Sequence, residues 1–191
     1  MLLERVELPD ASIGEYRIES FITDRVDFGS LLKGRGVPVG QKFTKLTRSG
    51  KVVMSDTPAE MRDHYAPVVN AKASCLINGL GIGMVLRAIL KKPEVSDVIV
   101  VEISSEVIDM VAPHYADARV TFVHADALAY KPAKGKRFGM VWHDIWDAVC
   151  TDNLPEMATL HRRYGSKADW QGSWSKDECI SQKRADERRD W

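Results

Sequence analysis

The sequence lacks net charge: 27 Lys and Arg balance 27 Asp and Glu in 191 residues. That removes any global steering toward nucleic acid or an anionic membrane surface. Cysteine is scarce. Cys75, Cys150 and Cys179 are odd in number and widely spaced, and no Cys/His cluster has zinc-ligand spacing. Neither a disulfide framework nor a metal site is expected, and a reducing cytoplasm is the expected compartment. Long apolar runs are missing too. None approaches the roughly 18 residues that cross a bilayer. Glu4 interrupts the leading Met1-Leu2-Leu3 at once, so no membrane span and no signal peptide are expected. Repeats and low-complexity segments are absent. What remains is 45% apolar content, enough for a sizeable core in one domain with an appendage.

Residues 75 to 83 organise the rest. The run Cys75-Leu76-Ile77-Asn78 meets three alternating glycines, Gly79, Gly81 and Gly83, and the amphipathic run Met84 to Lys92 follows. This reads as buried strand, tight glycine turn, then helix. Glycine admits positive φ and puts no Cβ between backbone and ligand. In α/β folds such a turn, feeding a helix N-terminus, holds the polar part of a nucleotide-like ligand.

Before the turn, Tyr16 to Ile22 alternates as a strand. From Phe28 to Ser55 there is no acid, while Lys33, Arg35, Lys42, Lys45, Arg48 and Lys51 are present. Lys42–Thr47 and Lys51–Met54 flank Arg48-Ser49-Gly50 and form a β-hairpin. Its basic residues read as a solvated face or as contact with an anionic partner; no aromatic ladder interleaves them, which disfavours nucleic acid. Thr57, Pro58 and Glu60 look like the capped start of a helix running to about Val69.

After the turn, Asp97–Glu102 is an uninterrupted β-branched run, as in a strand buried on both faces. Ser104 caps a helix to about His114. Strands at Arg119–His124 and Phe138–Trp142, a helix at 154–164, a short strand near 168–172 and a charged helix at 176–189 complete the chain. Alternating strands and helices make an α/β fold: a doubly wound, mostly parallel Rossmann-like sheet with an N-terminal β-hairpin extension. Residues 1–70 form the extension and gate helix, and 71–191 the Rossmann-like domain. Ligands in such sheets sit outside the carboxyl ends of the strands. Four successive strand ends carry the glycine turn, Glu102, Asp126 and Asp144. Each acid alone also reads as a solvated or capping residue; the four together mark an edge.

Glu102 lies 23 residues after Gly79, where an acid accepts hydrogen bonds from ribose hydroxyls in both NAD-binding and S-adenosylmethionine-binding folds. The dinucleotide fingerprint asks for glycine at 84, and Met84 stands there, which disfavours nicotinamide. Asp126 sits where methyltransferase folds place an acid for the adenine amine.

Cys75 to Arg87 resembles the glycine motif of spermidine synthases and related class I methyltransferase-fold proteins. Val98 to Ile103 with Glu106-Val107-Ile108 is similar to that family's second strand and helix, and Arg119 to Ala127 to its third strand. Phe138 to Asp147 resembles its fourth strand, whose catalytic Asp and following acid match Asp144 and Asp147. Ser49 to Met61 is more loosely similar to the family's hairpin and gate. The resemblance covers roughly residues 45 to 150. It implies S-adenosyl-L-methionine as cofactor, bound by Gly79, Leu80, Gly81, Gly83, Glu102, Ile103, Asp126, Ala127 and Asp144, with Asp144 and Asp147 catalytic.

The sequence departs from the aminopropyltransferase pattern at Ile82, where that family has an acid, and at Asp144-Ile145-Trp146-Asp147-Ala148. Only about 45 residues follow the fourth strand, so a compact, C-terminally shortened member is expected. The activity expected is methyl transfer to a small-molecule acceptor. Aminopropyl transfer and a non-catalytic cofactor-binding module are the alternatives. A hairpin of this kind also pairs between subunits, so a homo-oligomer is an expectation.

Other residues have two readings each. His143 is a general base tuned by Asp144, or a strand-end histidine packed under Trp142 and Trp146. Cys150 is a nucleophile or a neutral thiol. Trp170 and Trp174 close the end of the sheet, or stack on a substrate.

Overall fold

The computed structural model describes residues 3–32 and 34–189. Lys33 of the basic stretch lies outside them. The N-terminal part is a four-stranded antiparallel sheet, β1 (Ala11–Ile13), β2 (Tyr16–Ile22), β3 (Lys42–Arg48) and β4 (Lys51–Ser55), in that spatial order. The β3–β4 turn is Ser49-Gly50, with φ of 48° and 78°. Two positive φ values give the turn whose twist matches that of the paired strands. The short helix α1 (Phe28–Leu32) lies between β2 and β3.

The expected gate helix is two helices, α2 (Pro58–Asp63) and α3 (Tyr65–Asn70), broken at His64 with φ −99° and ψ 12°. The expected capping box does not form. Thr57 makes no side-chain bond to the helix start; its hydroxyl lies 3.1 Å from that of Ser55.

The second sheet comprises β5 (Ala73–Asn78), β6 (Val95–Glu102), β7 (Val120–His124), β8 (Phe138–His143) and β9 (Ala168–Ser173). Its order is β7-β6-β5-β8-β9, and every pairing is parallel. This is the Rossmann-like arrangement that the alternation of strands and helices called for. The intervening helices are α4 (Met84–Leu90), α5 (Ser105–Val111), α6 (Leu154–Tyr164) and, after β9, α7 (Lys176–Glu187). Ser104 caps α5 by accepting the Val107 N–H at 3.1 Å.

Alternation within the central strands divides the core between two faces. Cys75, Ile77, Val98, Val100, Met140 and Trp142 face one cluster, shared with α3, α4, α5 and the N-terminal sheet. Leu76, Val101 and Val141 face the other, shared with Leu160 and Tyr164 of α6. Leu3, Val6, Ile18, Leu46 and Met54 belong to the first cluster, so the N-terminal sheet and the parallel sheet share one core. Asp56 ties them down further. It is buried, and its carboxylate accepts the N–H groups of Val6 at 2.8 Å and Thr44 at 2.7 Å.

Three of the basic residues in the hairpin region meet acids: Arg35 meets Asp63, Lys45 meets Glu19, and Arg48 meets Asp147. Among the described residues no helix is long and apolar enough to cross a membrane.

Candidate functional site

A cavity of about 310 Å³ opens at the carboxyl edge of β5, β6, β7 and β8, roofed by β3 and β4. Parallel pairing brings the ends of these strands level. Asn78 faces Val101 and His143, and Glu102 faces His124. The residues that follow therefore converge on one opening: Gly79, Gly81, Glu102, Ile103, Asp126, Ala127 and Asp144 all line it.

Gly79 has φ 94°, and a Cβ there would collide with the backbone carbonyl of Asp144. Only glycine lets the β5 turn pass so close to the β8 end. Gly83 is different. It has φ 76° at the N-cap of α4 and abuts the ring of Tyr115, so it shapes the turn from behind, outside the cavity lining. Leu80 also turns inward: its side chain is in the core, and its N–H donates to Glu102 Oε2 at 2.8 Å. Ile82 is fully buried, and its carbonyl accepts the Tyr115 hydroxyl.

Glu102 is buried, and burial raises its pKa; the N–H groups of Leu80 and Ser104, the latter on Oε1 at 2.9 Å, act against this. Each oxygen holds one such bond and keeps acceptor capacity. Asp126 is exposed at the rim, with Oδ1 accepting the Leu128 N–H at 2.7 Å. Trp146 closes the same side, its indole N–H donating to Glu156 at 2.8 Å.

Asp144 has a partner the sequence did not signal. His64 Nε2 donates to Asp144 Oδ2 at 2.7 Å, and Nδ1 donates to the Glu60 carbonyl at 2.7 Å. With an acceptor on each nitrogen, the imidazolium is the form that fits both. Burial pulls the His64 pKa down, but Asp144 and Glu60 outweigh it and the value rises to about 9. Burial also lifts the carboxyl of Glu60, which lines the cavity, to about 7. The break between α2 and α3 is what points His64 at the β8 end. A histidine seven residues after a helix cap carries no motif, so sequence patterning passed it over.

His143 is not that partner. Asn78 Nδ2 lies 2.7 Å from its Nδ1, and its ring packs on His161 and Tyr164, on the α6 side of the sheet. Burial pushes its pKa down to about 3, which keeps it neutral. Asp147 lies at the cavity mouth, half-exposed and ion-paired with Arg48. The tryptophans divide. Trp170 stacks on Trp142 with ring centroids 6.2 Å apart, and Trp142 in turn meets His64 edge-on. Trp174 lines the cavity. The Cys75 thiol is buried and pushed up to about 11. Among the described residues no cluster of His, Cys, Asp and Glu could hold a metal ion.

Fold and geometry together describe a Rossmann-like chain with a cavity at the carboxyl edge of its parallel sheet. No protein-family model matches the sequence. The chain is similar in fold to the N-methyltransferase NodS from Bradyrhizobium japonicum WM9, with 14% identity, 59% of this chain and 64% of that one covered, and a TM-score of 0.45. Spermidine synthase from Thermotoga maritima gives 20% identity, 73% and 46% coverage and a TM-score of 0.46. A dimethyladenosine transferase from Plasmodium falciparum gives 17%, 56% and 37%, and 0.43. The chain thus spans less than two thirds of the length of each of these proteins.

Proposed function

We propose that this chain is an S-adenosyl-L-methionine-dependent transferase, and that the group it transfers is methyl. One observation carries the reading: Gly79, Gly81, Glu102, Asp126 and Asp144, drawn from four strand ends, line a single cavity of ligand size. The residues fit the cofactor. The carboxylate of Glu102 has spare acceptor capacity for two ribose hydroxyls, and Asp126 at the rim is an acceptor for an adenine amine. Ile103 and Ala127, beside them in the lining, are the apolar contacts for the adenosine. When bound, the cofactor supplies an electrophilic methyl group on a sulfonium.

The protein's part is then positioning and proton handling. Asp144 is held in one orientation by its hydrogen bond from His64. It would orient an acceptor N–H or O–H and take its proton. Transfer from a sulfonium to a neutral nucleophile needs little else, because positioning carries most of the rate. Asp147 would act at the mouth of the cavity, where Arg48 now neutralises it.

The alternative is aminopropyl transfer, favoured by the six carboxylates of the lining, Glu60, Glu102, Asp126, Asp144, Asp147 and Glu156, which suit a cationic acceptor. A cofactor-binding module without turnover would keep the same pocket. The test is calorimetric titration with S-adenosylmethionine, its decarboxylated form, S-adenosylhomocysteine and NAD, against Glu102→Ala as control. Micromolar binding of the adenosyl sulfonium compounds, lost in the control, supports the proposal. Binding of NAD alone, or of nothing, overturns it.

A further inference from the structure

We infer that Arg48 reads the carboxylate at the methionyl end of the cofactor, and so selects S-adenosylmethionine over its decarboxylated form. The inference rests on the cofactor reading above and deepens it. Its basis is a charge imbalance. Among the described residues that line the cavity, six are carboxylic acids and two are basic, Arg48 and His64. His64 has both nitrogens engaged, by Asp144 and by the Glu60 carbonyl, and is 1% exposed. Of the lining side chains among the described residues, Arg48 is the cation that a ligand carboxylate can engage, because both His64 nitrogens are already committed. A ligand that carries only positive charge needs no such residue.

Placement agrees. Leu46 and Arg48 of β3, and Val53 and Met54 of β4, form the roof. Met54 pairs with Leu46 and rests on Gly81, where a Cβ would strike its sulfur. The hairpin is therefore seated on the glycine turn. A bulge in the pairing at Leu46/Thr47 leaves Val53 unpaired; such bulges re-aim neighbouring side chains. Arg48 then reaches across to Asp147 beyond the β8 end, the two side chains being 43% and 42% exposed. An ion pair this exposed holds its partners weakly. The guanidinium can exchange Asp147 for a ligand carboxylate that offers the same two-oxygen geometry. In exchange, Asp147 would be released toward the acceptor.

Two substitutions test this by calorimetry with both ligands. The wild-type protein should bind S-adenosylmethionine at least about tenfold more tightly than the decarboxylated compound, the scale of one charge-assisted contact. Arg48→Gln should abolish that preference by weakening S-adenosylmethionine alone. Asp147→Asn, which frees the guanidinium, should strengthen S-adenosylmethionine and leave the decarboxylated ligand unchanged. A merely structural Arg48 would lower both affinities together in Arg48→Gln, and that result overturns the inference. So does wild-type preference for the decarboxylated form, which would instead promote aminopropyl transfer. Absence of binding by either ligand to the wild-type protein overturns the cofactor reading itself, and the inference with it.

Discussion

His64 and Asp144 stand 80 residues apart in sequence and meet at 2.7 Å. The contact joins the gate segment to the end of β8, so these two parts of the cavity lining are one electrostatic unit. His64 is 1% exposed and the Asp144 side chain 19%. Removing one partner of a buried pair strands the other. His64→Ala should therefore lower unfolding stability by about 3 kcal/mol in urea titration at pH 6. The same change should lower any transferase activity more than cofactor affinity, because in the proposed function Asp144 orients the acceptor.

Stability should fall as pH rises from about 6.5 to 9. His64 is raised from an ordinary 6.5 to about 9. Its contribution is complete below pH 6.5 and is lost as pH climbs through 9. Glu60 is raised from 4.5 to about 7 by burial. It binds a proton more tightly folded than unfolded, so stability is lost as pH rises from 4.5 through about 7. The two slopes share a sign; below pH 6.5 the buried neutral His143, lowered to about 3, slopes the other way. Thermal unfolding from pH 6.5 to 9 should show the decline, and Glu60→Gln, which leaves His143 unopposed, should make stability rise between pH 5 and 6.5. A rise in stability between pH 6 and 9 would refute the pairing.

Gly79→Ala should be far more damaging than Gly50→Ala, although both sites have positive φ. At Gly50 a Cβ meets nothing within 4 Å, while at Gly79 it strikes the Asp144 carbonyl. Gly50→Ala should cost about 1 kcal/mol, the backbone penalty alone. Gly79→Ala should cost about 3 kcal/mol or more, because backbone must shift as well. Denaturant titration of the two variants side by side distinguishes them.

Asp56→Ala should destabilise the protein by about 2–3 kcal/mol. It leaves the buried N–H groups of Val6 and Thr44 without acceptors. The hairpin carrying Arg48 depends on that anchor, so cofactor affinity should fall with stability, and hydrogen exchange in residues 42–55 should accelerate.

The parallel sheet was legible because its signals are local. The β-branched run at 97–102 and the glycine turn at 79–83 each specify a strand end on their own, and the helix at 154–164 has the observed bounds. Four strand ends then place Glu102, Asp126 and Asp144 together by topology alone. The gate helix differs from its sequence expectation for the same reason: the Thr57-Pro58-Glu60 signal is local, whereas His64, where the helix breaks, bonds Asp144 80 residues away. Gly83 and Leu80 followed a motif whose alternate positions face the core, against Tyr115 and Glu102. His64, Glu60 and Arg48 join the site only through tertiary packing, and no spacing in the sequence announces them.

An adenosyl ligand at the carboxyl edge of the parallel sheet underlies both the proposed transferase and the role of Arg48. The most direct measurement is a crystal structure with S-adenosylhomocysteine. The ribose hydroxyls should lie on Glu102 and the adenine amine at Asp126, and Arg48 should turn from Asp147 to the ligand carboxylate. Density for the ligand elsewhere, for example in the cavity of about 340 Å³ between Trp170, His161 and Lys176, with the β5–β8 edge unaltered, would contradict it.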